Sequence, residues 1–365
     1  MIPFLPLGAI NETFQPALSE AALRVIKSGW YLQGQATKQF ERSFADFVGV
    51  RYCVGVGNGL DALTLSLMAL KQMYHWDEHT EVIVPNMTFV ATAQAVVRAG
   101  MIPVFADVDE NALLTPSTAE QVLSPHTRAV LPVHLYGKAA DMEAFAAWTK
   151  ENHLKLLEDA AQAHGAYSGK KRVGSTALIS AFSFYPGKNL GALGDGGAVT
   201  TDDEELAHRV RTLANYGADR KYHHVMQGLN SRLDEIQAAM LNVKLCRLDQ
   251  DNLHRQHIAS IYAEHIHNPL VELPYQGDTA HSVFHIYAAR CQERERLSTY
   301  LQEKGIQTSC HYPLTLSEQP IFSSINCHTP RATEWARTQI SLPVSPIMTD
   351  EEALTVCETI NQFNL

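Results

Sequence analysis

The chain has 365 residues, 45% hydrophobic and 19% charged. That is the balance of a packed protein, and at roughly 150 residues per domain it favours two units and excludes disordered or fibrous classes. Lys and Arg number 29 against 39 Asp and Glu, a net charge of -10 with no basic block to offset it, which excludes generic nucleic-acid binding.

The amino-terminal Met1-Ile-Pro-Phe-Leu-Pro-Leu-Gly has no positive start and two early prolines. No secretory signal is expected, and the mature chain is expected to begin there. From residue 52 to about 214 short apolar runs alternate with helical patterns. Candidate strands cover 52–56, 81–84, 102–108, 129–133, 154–158, 178–184 and 197–201. Helices are expected at 60–73, where Leu60, Leu63, Leu67 and Leu70 share a stripe, and at 142–152, capped by Asp141. Such alternation predicts an α/β fold with a mainly parallel sheet covered on both faces. Ligands then sit beyond the carboxyl ends of the strands.

A long helical stretch follows over 232–266, and Pro269 and Pro274 mark a boundary. A candidate strand at 285–290 and helix at 293–304 predict a smaller α+β unit. The expected division is a large domain over 1–245 and a small one over 246–365. The longest charge-free stretches, 82–97 and 173–187, are broken by polar residues and prolines and fall short of the ~20 apolar residues a membrane span needs. Six scattered cysteines without a C-x-x-C pair read as reduced thiols with no metal site, consistent with a cytoplasmic location.

Three segments carry chemistry. In Ser180-Ala-Phe-Ser-Phe-Tyr-Pro-Gly-Lys188-Asn-Leu-Gly, a lysine just past an apolar strand can be held partly neutral by desolvation and form a Schiff base. A P-loop is excluded, because no Ser or Thr follows Lys188 and Phe182 stands where its first glycine belongs. In Leu154-Lys-Leu-Leu-Glu158-Asp159-Ala-Ala-Gln162-Ala-His-Gly, a carboxylate at the strand end and an amide three residues on can face one ligand. Such a carboxylate suits a protonated ring nitrogen. His164 is expected to be a hydrogen-bonded core histidine. In Val54-Gly-Val-Gly57-Asn58-Gly59-Leu60-Asp61, glycines open a helix whose free N–H groups and dipole suit an anion. Leu60 at the third fingerprint position argues against a nicotinamide dehydrogenase.

Gly59, Asp159, Gln162, Ser183 and Lys188, in this order at these strand ends, make the chain resemble fold type I pyridoxal phosphate (PLP) enzymes. More narrowly it is similar to the DegT/DnrJ/StrS sugar aminotransferases. The motifs that carry this are Glu158-Asp-Ala-Ala-Gln-Ala-His-Gly, Phe182-Ser-Phe-Tyr-Pro-Gly-Lys-Asn-Leu-Gly, Gly194-Asp-Gly-Gly-Ala and Asn230-Ser-Arg-Leu-Asp-Glu-Ile-Gln-Ala-Ala. The resemblance implies that Lys188 binds PLP covalently and acts as general acid and base, while Asp159 pairs with the pyridine nitrogen. It also implies that Gln162 reaches the ring hydroxyl and Phe89 stacks on the ring. The phosphate would be held by the Gly59 and Leu60 amides, by Ser183, and by Asn230 from the partner of a homodimer.

Many family members carry Ser or Thr where this chain has Asn58-Gly-Leu-Asp. Gly57-Asn-Gly-Leu-Asp-Ala-Leu instead resembles the subgroup that aminates carbon 3 of dTDP-linked 3-keto-6-deoxyhexoses, with L-glutamate as donor and pyridoxamine phosphate as the intermediate cofactor form. In that subgroup Tyr185, Lys221, His311 and Tyr312 match sugar-nucleotide positions. The alternatives are amination at carbon 4 and a non-catalytic PLP-binding regulator. A dehydratase of the same family would carry histidine in place of Lys188.

Overall fold

The computed structural model describes residues 1–274 and 282–364. Its alternating apolar runs form β1 (Tyr52–Val56), β2 (Glu81–Pro85), β3 (Ile102–Ala106), β4 (Thr127–Val130) and β5 (Lys155–Asp159). A small hairpin of β6 (Tyr167–Ser168) and β7 (Lys171–Arg172) precedes β8 (Ile179–Ser183) and β9 (Gly197–Thr201). Seven of these make one sheet in the order β1-β9-β8-β5-β4-β2-β3. Within it β9 runs antiparallel to both neighbours, whereas β8, β5, β4, β2 and β3 pair in parallel. The expected strands are therefore present, with shifted ends. Ladder pairing in β4 stops at Val130, just before Pro132, which has no N–H to give; Val133 regains a single bridge to Asp159.

The helix Gly59–Met73 is buried on more than the expected stripe, with Leu63, Leu65, Leu67 and Leu70 all in the core. It lies between the sheet and further helices, so apolar residues are required nearly all round it. Asp141 caps the helix Met142–Glu151 as the sequence predicts, accepting the Ala144 N–H. The stretch 232–266 is two helices, Glu235–Leu245 and Leu248–His265, rather than one.

Beyond these, β10 (Ala218–Arg220) and β11 (His223–His224) form an exposed hairpin, and β12 (Tyr287–Arg290) pairs antiparallel with β13 (Gln339–Leu342). The helices Arg294–Glu303, Pro330–Thr338 and Asp350–Asn361 accompany the β12–β13 ladder. A separate core there gathers Tyr262, Tyr287, Leu297, Leu301, Ile340, Leu342, Val356 and Ile360. Ile2 joins that core and bridges to Ile306, so the two chain ends share one unit. Among the described residues no helix is long and apolar enough to cross a membrane, and all six cysteines are free.

Candidate active site

The ends of β1, β2, β5 and β8 lie at one edge of the sheet. Register puts Val56 and Ser183 on either side of Gly197, which brings the start of the helix Gly59–Met73 onto the end of β8. Asn58 caps that helix by accepting the Asp61 N–H at 2.8 Å. The Gly59 and Leu60 N–H groups have no acceptor among the described residues. A Cβ at Gly59 would stand 2.6 Å from the Ser183 Cβ, so only glycine permits this approach. Orphaned amides, a helix amino terminus and a hydroxyl together make an anion cradle.

Lys188 follows from a turn in which its N–H bonds the Tyr185 carbonyl at 2.8 Å, a turn favoured by Pro186 at its second position. Burial pushes the Lys188 pKa down to about 8, against the opposing pull of Asp159. A minority of its amine, roughly a fifth, is thus neutral near physiological pH, far more than for an ordinary lysine.

The two acids that end β5 have opposite fates because successive strand side chains face opposite ways. Glu158 is sealed in the core, where His134 Nε2 lies 3.0 Å away and the N–H groups of Gly174, Thr176 and Ala177 donate to it. Burial alone would raise its pKa, but these bonds bring it below the ordinary carboxylate value. Asp159 faces the Lys188 side. Its Oδ2 accepts the Thr92 hydroxyl at 2.8 Å and its Oδ1 the Ala161 N–H at 3.2 Å. Burial still holds its pKa above the usual value, despite the downward pull of Thr92, Ala161 and Lys188. A cation placed against this carboxylate would stabilise its charged form.

Gln162 is buried. Its Oε1 accepts the Tyr136 N–H at 2.7 Å and its Nε2 donates to the Tyr312 hydroxyl at 3.0 Å, leaving a second N–H free to serve a ligand. The Tyr312 ring lies 5.4 Å from that of Phe89, which is 52% exposed above the strand ends. Tyr136, at φ 61, also donates its hydroxyl to the His311 carbonyl at 2.6 Å. Phe89, Gln162, His311 and Tyr312 are thereby linked into one wall.

The remaining expected residues stand apart. Tyr185 is exposed, as are Lys221 on the loop between β10 and β11 and Asn230, whose backbone bridges Asn215. His164 is in the core as expected, between Phe182 and Phe184; neither ring nitrogen is in good hydrogen-bond geometry among the described residues, and the Ser183 backbone is its one polar neighbour that favours a proton. The apolar surroundings keep the ring neutral, with a pKa pushed down to about 3 by burial and the Lys188 charge, which outweigh the Ser183 backbone. Thr92 and Tyr136 were not singled out from sequence. Thr88 and Thr92, four residues apart in Thr88-Phe-Val-Ala-Thr92, were the available signal for the first; a backbone turn left none for the second.

The model of the DegT/DnrJ/EryC1/StrS aminotransferase family matches residues 13–361. Over 365 residues the chain is 46% identical to the dTDP-3-amino-3,6-dideoxy-alpha-D-galactopyranose transaminase of Aneurinibacillus thermoaerophilus, covering 100% of this chain and 99% of that one. Among solved structures, DesV of S. venezuelae in complex with a ketimine intermediate superposes with a TM-score of 0.95 at 40% identity, covering 99% of this chain and 98% of that one. NtdA of Bacillus subtilis with bound cofactor PMP superposes with a TM-score of 0.91 at 28% identity, covering 98% of this chain and 84% of that one. The sheet is thus the α/β sheet of fold type I, and the chain belongs to the DegT/DnrJ/EryC1/StrS family of aminotransferases.

Proposed function

We propose that the protein uses PLP to move an amino group from L-glutamate to carbon 3 of a dTDP-3-keto-6-deoxyhexose, giving a dTDP-3-amino-3,6-dideoxyhexose and 2-oxoglutarate. The observation that carries this reading is the pairing of a half-buried lysine, with a pKa near 8, and a buried carboxylate at one sheet edge. The substrate follows from the full-length relative named for a dTDP-3-amino-3,6-dideoxy sugar.

The residues fit the cofactor group by group. The orphaned Gly59 and Leu60 amides with Ser183 suit its phosphate, the crowding at Gly59 leaving room for nothing bulkier than hydrogen. Asp159 suits a protonated pyridine nitrogen, Gln162 the ring hydroxyl, Phe89 the ring face, and Lys188 the aldehyde. When bound, PLP supplies a carbonyl that captures amines and a ring that withdraws electrons from the reacting carbon.

The chain's own groups then do the rest. Lys188 Nζ is the tether and, once released, the base that takes the proton from the glutamate α-carbon and later returns one to the sugar side. Asp159 stabilises positive charge on the ring nitrogen through a charge-assisted bond of about 1.5–3 kcal/mol. Tyr185, His311, Tyr312 and Lys221 are assigned to the sugar nucleotide, with Lys221 giving positive charge near the diphosphate of an otherwise acidic protein.

Asn230 and Lys221 reach the site from a second copy of the chain. Supporting that homodimer, Trp30, Tyr31, Tyr185, Tyr216 and Tyr222 are all exposed, Tyr222 to 86%, and aromatic residues of this kind are enriched where subunits meet. The reaction's soluble, charged substrates assign it to the cytoplasm. Incubation with PLP, glutamate and a dTDP-3-keto-6-deoxyhexose tests the proposal. Amino sugar and 2-oxoglutarate appear in equal amounts; consumption of nicotinamide instead, or amination at carbon 4, overturns it.

A further inference from the structure

Two buried side chains in β13 are polar where their neighbours are apolar. Gln339 and Ser341 are both 0% exposed and, two residues apart, share one face of the strand. Ile340 and Leu342, between and beyond them, fill the core. A buried amide and hydroxyl destabilise the fold unless bonded, and both are committed to His311.

Proton accounting fixes what they do there. The His311 backbone N–H donates to Gln339 Oε1 at 2.8 Å, which sets the orientation of that amide. Gln339 Nε2 is then the donor to Ser341 Oγ at 2.8 Å. With that lone pair taken, the Ser341 proton has one acceptor among the described residues, His311 Nδ1 at 2.8 Å. Nδ1 is therefore bare, and the single proton of the neutral ring sits on Nε2. Burial, reinforced by the charge of Lys188, pushes the His311 pKa down to about 4. Phe4 stacks on the ring at 5.7 Å and Tyr312 meets it edge-on at 5.6 Å. Nε2 has no protein partner among the described residues and is not among the sealed polar atoms.

We propose that Gln339 and Ser341 are positioning residues that lock His311 as a neutral Nε2–H donor, so that its subsite takes an acceptor oxygen of the substrate, whether of a carbonyl, hydroxyl, ether or phosphate. This rests on the assignment of His311 to the sugar-nucleotide site. A group that can only donate, such as an ammonium, finds no acceptor at that point and is disfavoured.

Nitrogen NMR of protein labelled at the histidine rings reads the tautomer directly, with the His311 signals identified by their loss in His311→Asn. In the wild type Nδ1 resonates as a bare nitrogen and Nε2 as a protonated one; in Ser341→Ala the two tautomers mix. A proton on Nδ1 in the wild type overturns the relay. Kinetics read the subsite. A Gln side chain places its amide nitrogen near Nε2, an Asn side chain near Nδ1. Hence His311→Asn raises the keto-sugar KM about tenfold, the size of one hydrogen bond at 1.4 kcal/mol per decade, whereas His311→Gln stays within about threefold. Equal KM values for the two variants overturn the donor role. The NMR result stands apart from turnover, so failure of the wild type to aminate the keto sugar would remove the proposed function without being mistaken for failure of the relay.

Discussion

The sheet-edge half of the site and the β10–β11 face differ in how far one protomer can finish them. At the sheet edge, Gly59, Asp159, Gln162, Ser183 and Lys188 are buried or half-buried and, Lys188 Nζ apart, hydrogen-bonded or closely packed within their own chain. On the other face Tyr216, Lys221, Tyr222 and Asn230 lie open. Lys221 has for company the Tyr222 ring, 5.1 Å away. A site built by strand ends is fixed when the chain folds; one completed by a second copy, as proposed for Asn230 and Lys221, would be fixed only on assembly. The contrast predicts that damage at the sheet edge acts on chemistry, and damage at the open face on cofactor retention and on neighbouring subunits.

The largest effect is expected at Lys188. Replacement by alanine removes tether and base together, so turnover falls about ten-thousandfold, and borohydride no longer fixes cofactor to the chain. Activity within tenfold of wild type would move the base elsewhere. Asp159→Asn is expected to lower kcat about a hundredfold or more, and it also has a readout in the apoprotein. Only the neutral amine attacks an aldehyde, so capture of PLP by wild-type apoprotein rises with pH through about 8 and levels off above it. Asp159 holds that pKa up, so the asparagine variant reaches its plateau at lower pH. An unshifted profile would separate the two groups electrostatically.

Asn230→Ala is expected to weaken cofactor affinity about tenfold, the value of one bond to phosphate. Mixed dimers sharpen the test. A Lys188→Ala chain paired with an Asn230→Ala chain regains one intact site if Asn230 is donated across the interface, because the second chain keeps its own Lys188 and borrows Asn230 from the first. If Asn230 serves its own chain, no site regains wild-type affinity, and the division between the two regions falls.

The sheet edge was legible in sequence because strands end where apolar runs end, and chemistry in such sheets follows the last apolar residue. That rule pointed to the segments that hold Asp159, Gln162 and Lys188, while their individual roles came from the family resemblance. Which of Glu158 and Asp159 faces Lys188 required the strand's phase, and both are equally acidic on paper. The break near Cys246 in the stretch 232–266 was hidden because no Gly or Pro marks it. His164 gave no hint that its ring would be enclosed between Phe182 and Phe184, since a ring's surroundings are set by tertiary neighbours. The relay through Gln339 and Ser341 spans nearly thirty residues of separation from His311 and is visible only once β13 is in place.

Thr92, also unseen from sequence, carries the smallest expected effect and the most specific one. Its hydroxyl donates to Asp159 Oδ2 at 2.8 Å, with Thr88 Oγ1 3.0 Å behind it. Valine has nearly the same shape and lacks the donor. Asp159 acts as an anion, so its contribution is present above its pKa and lost as pH falls through it. Burial already raises that pKa, and the Thr92 bond is the largest influence holding it down. In Thr92→Val the pKa therefore climbs, and the acid limb of kcat moves to higher pH. At neutral pH the loss is about threefold and grows on acidification, whereas Thr92→Ser, which restores the hydroxyl, keeps the wild-type limb. A loss of the same size at every pH would mean that Thr92 merely packs.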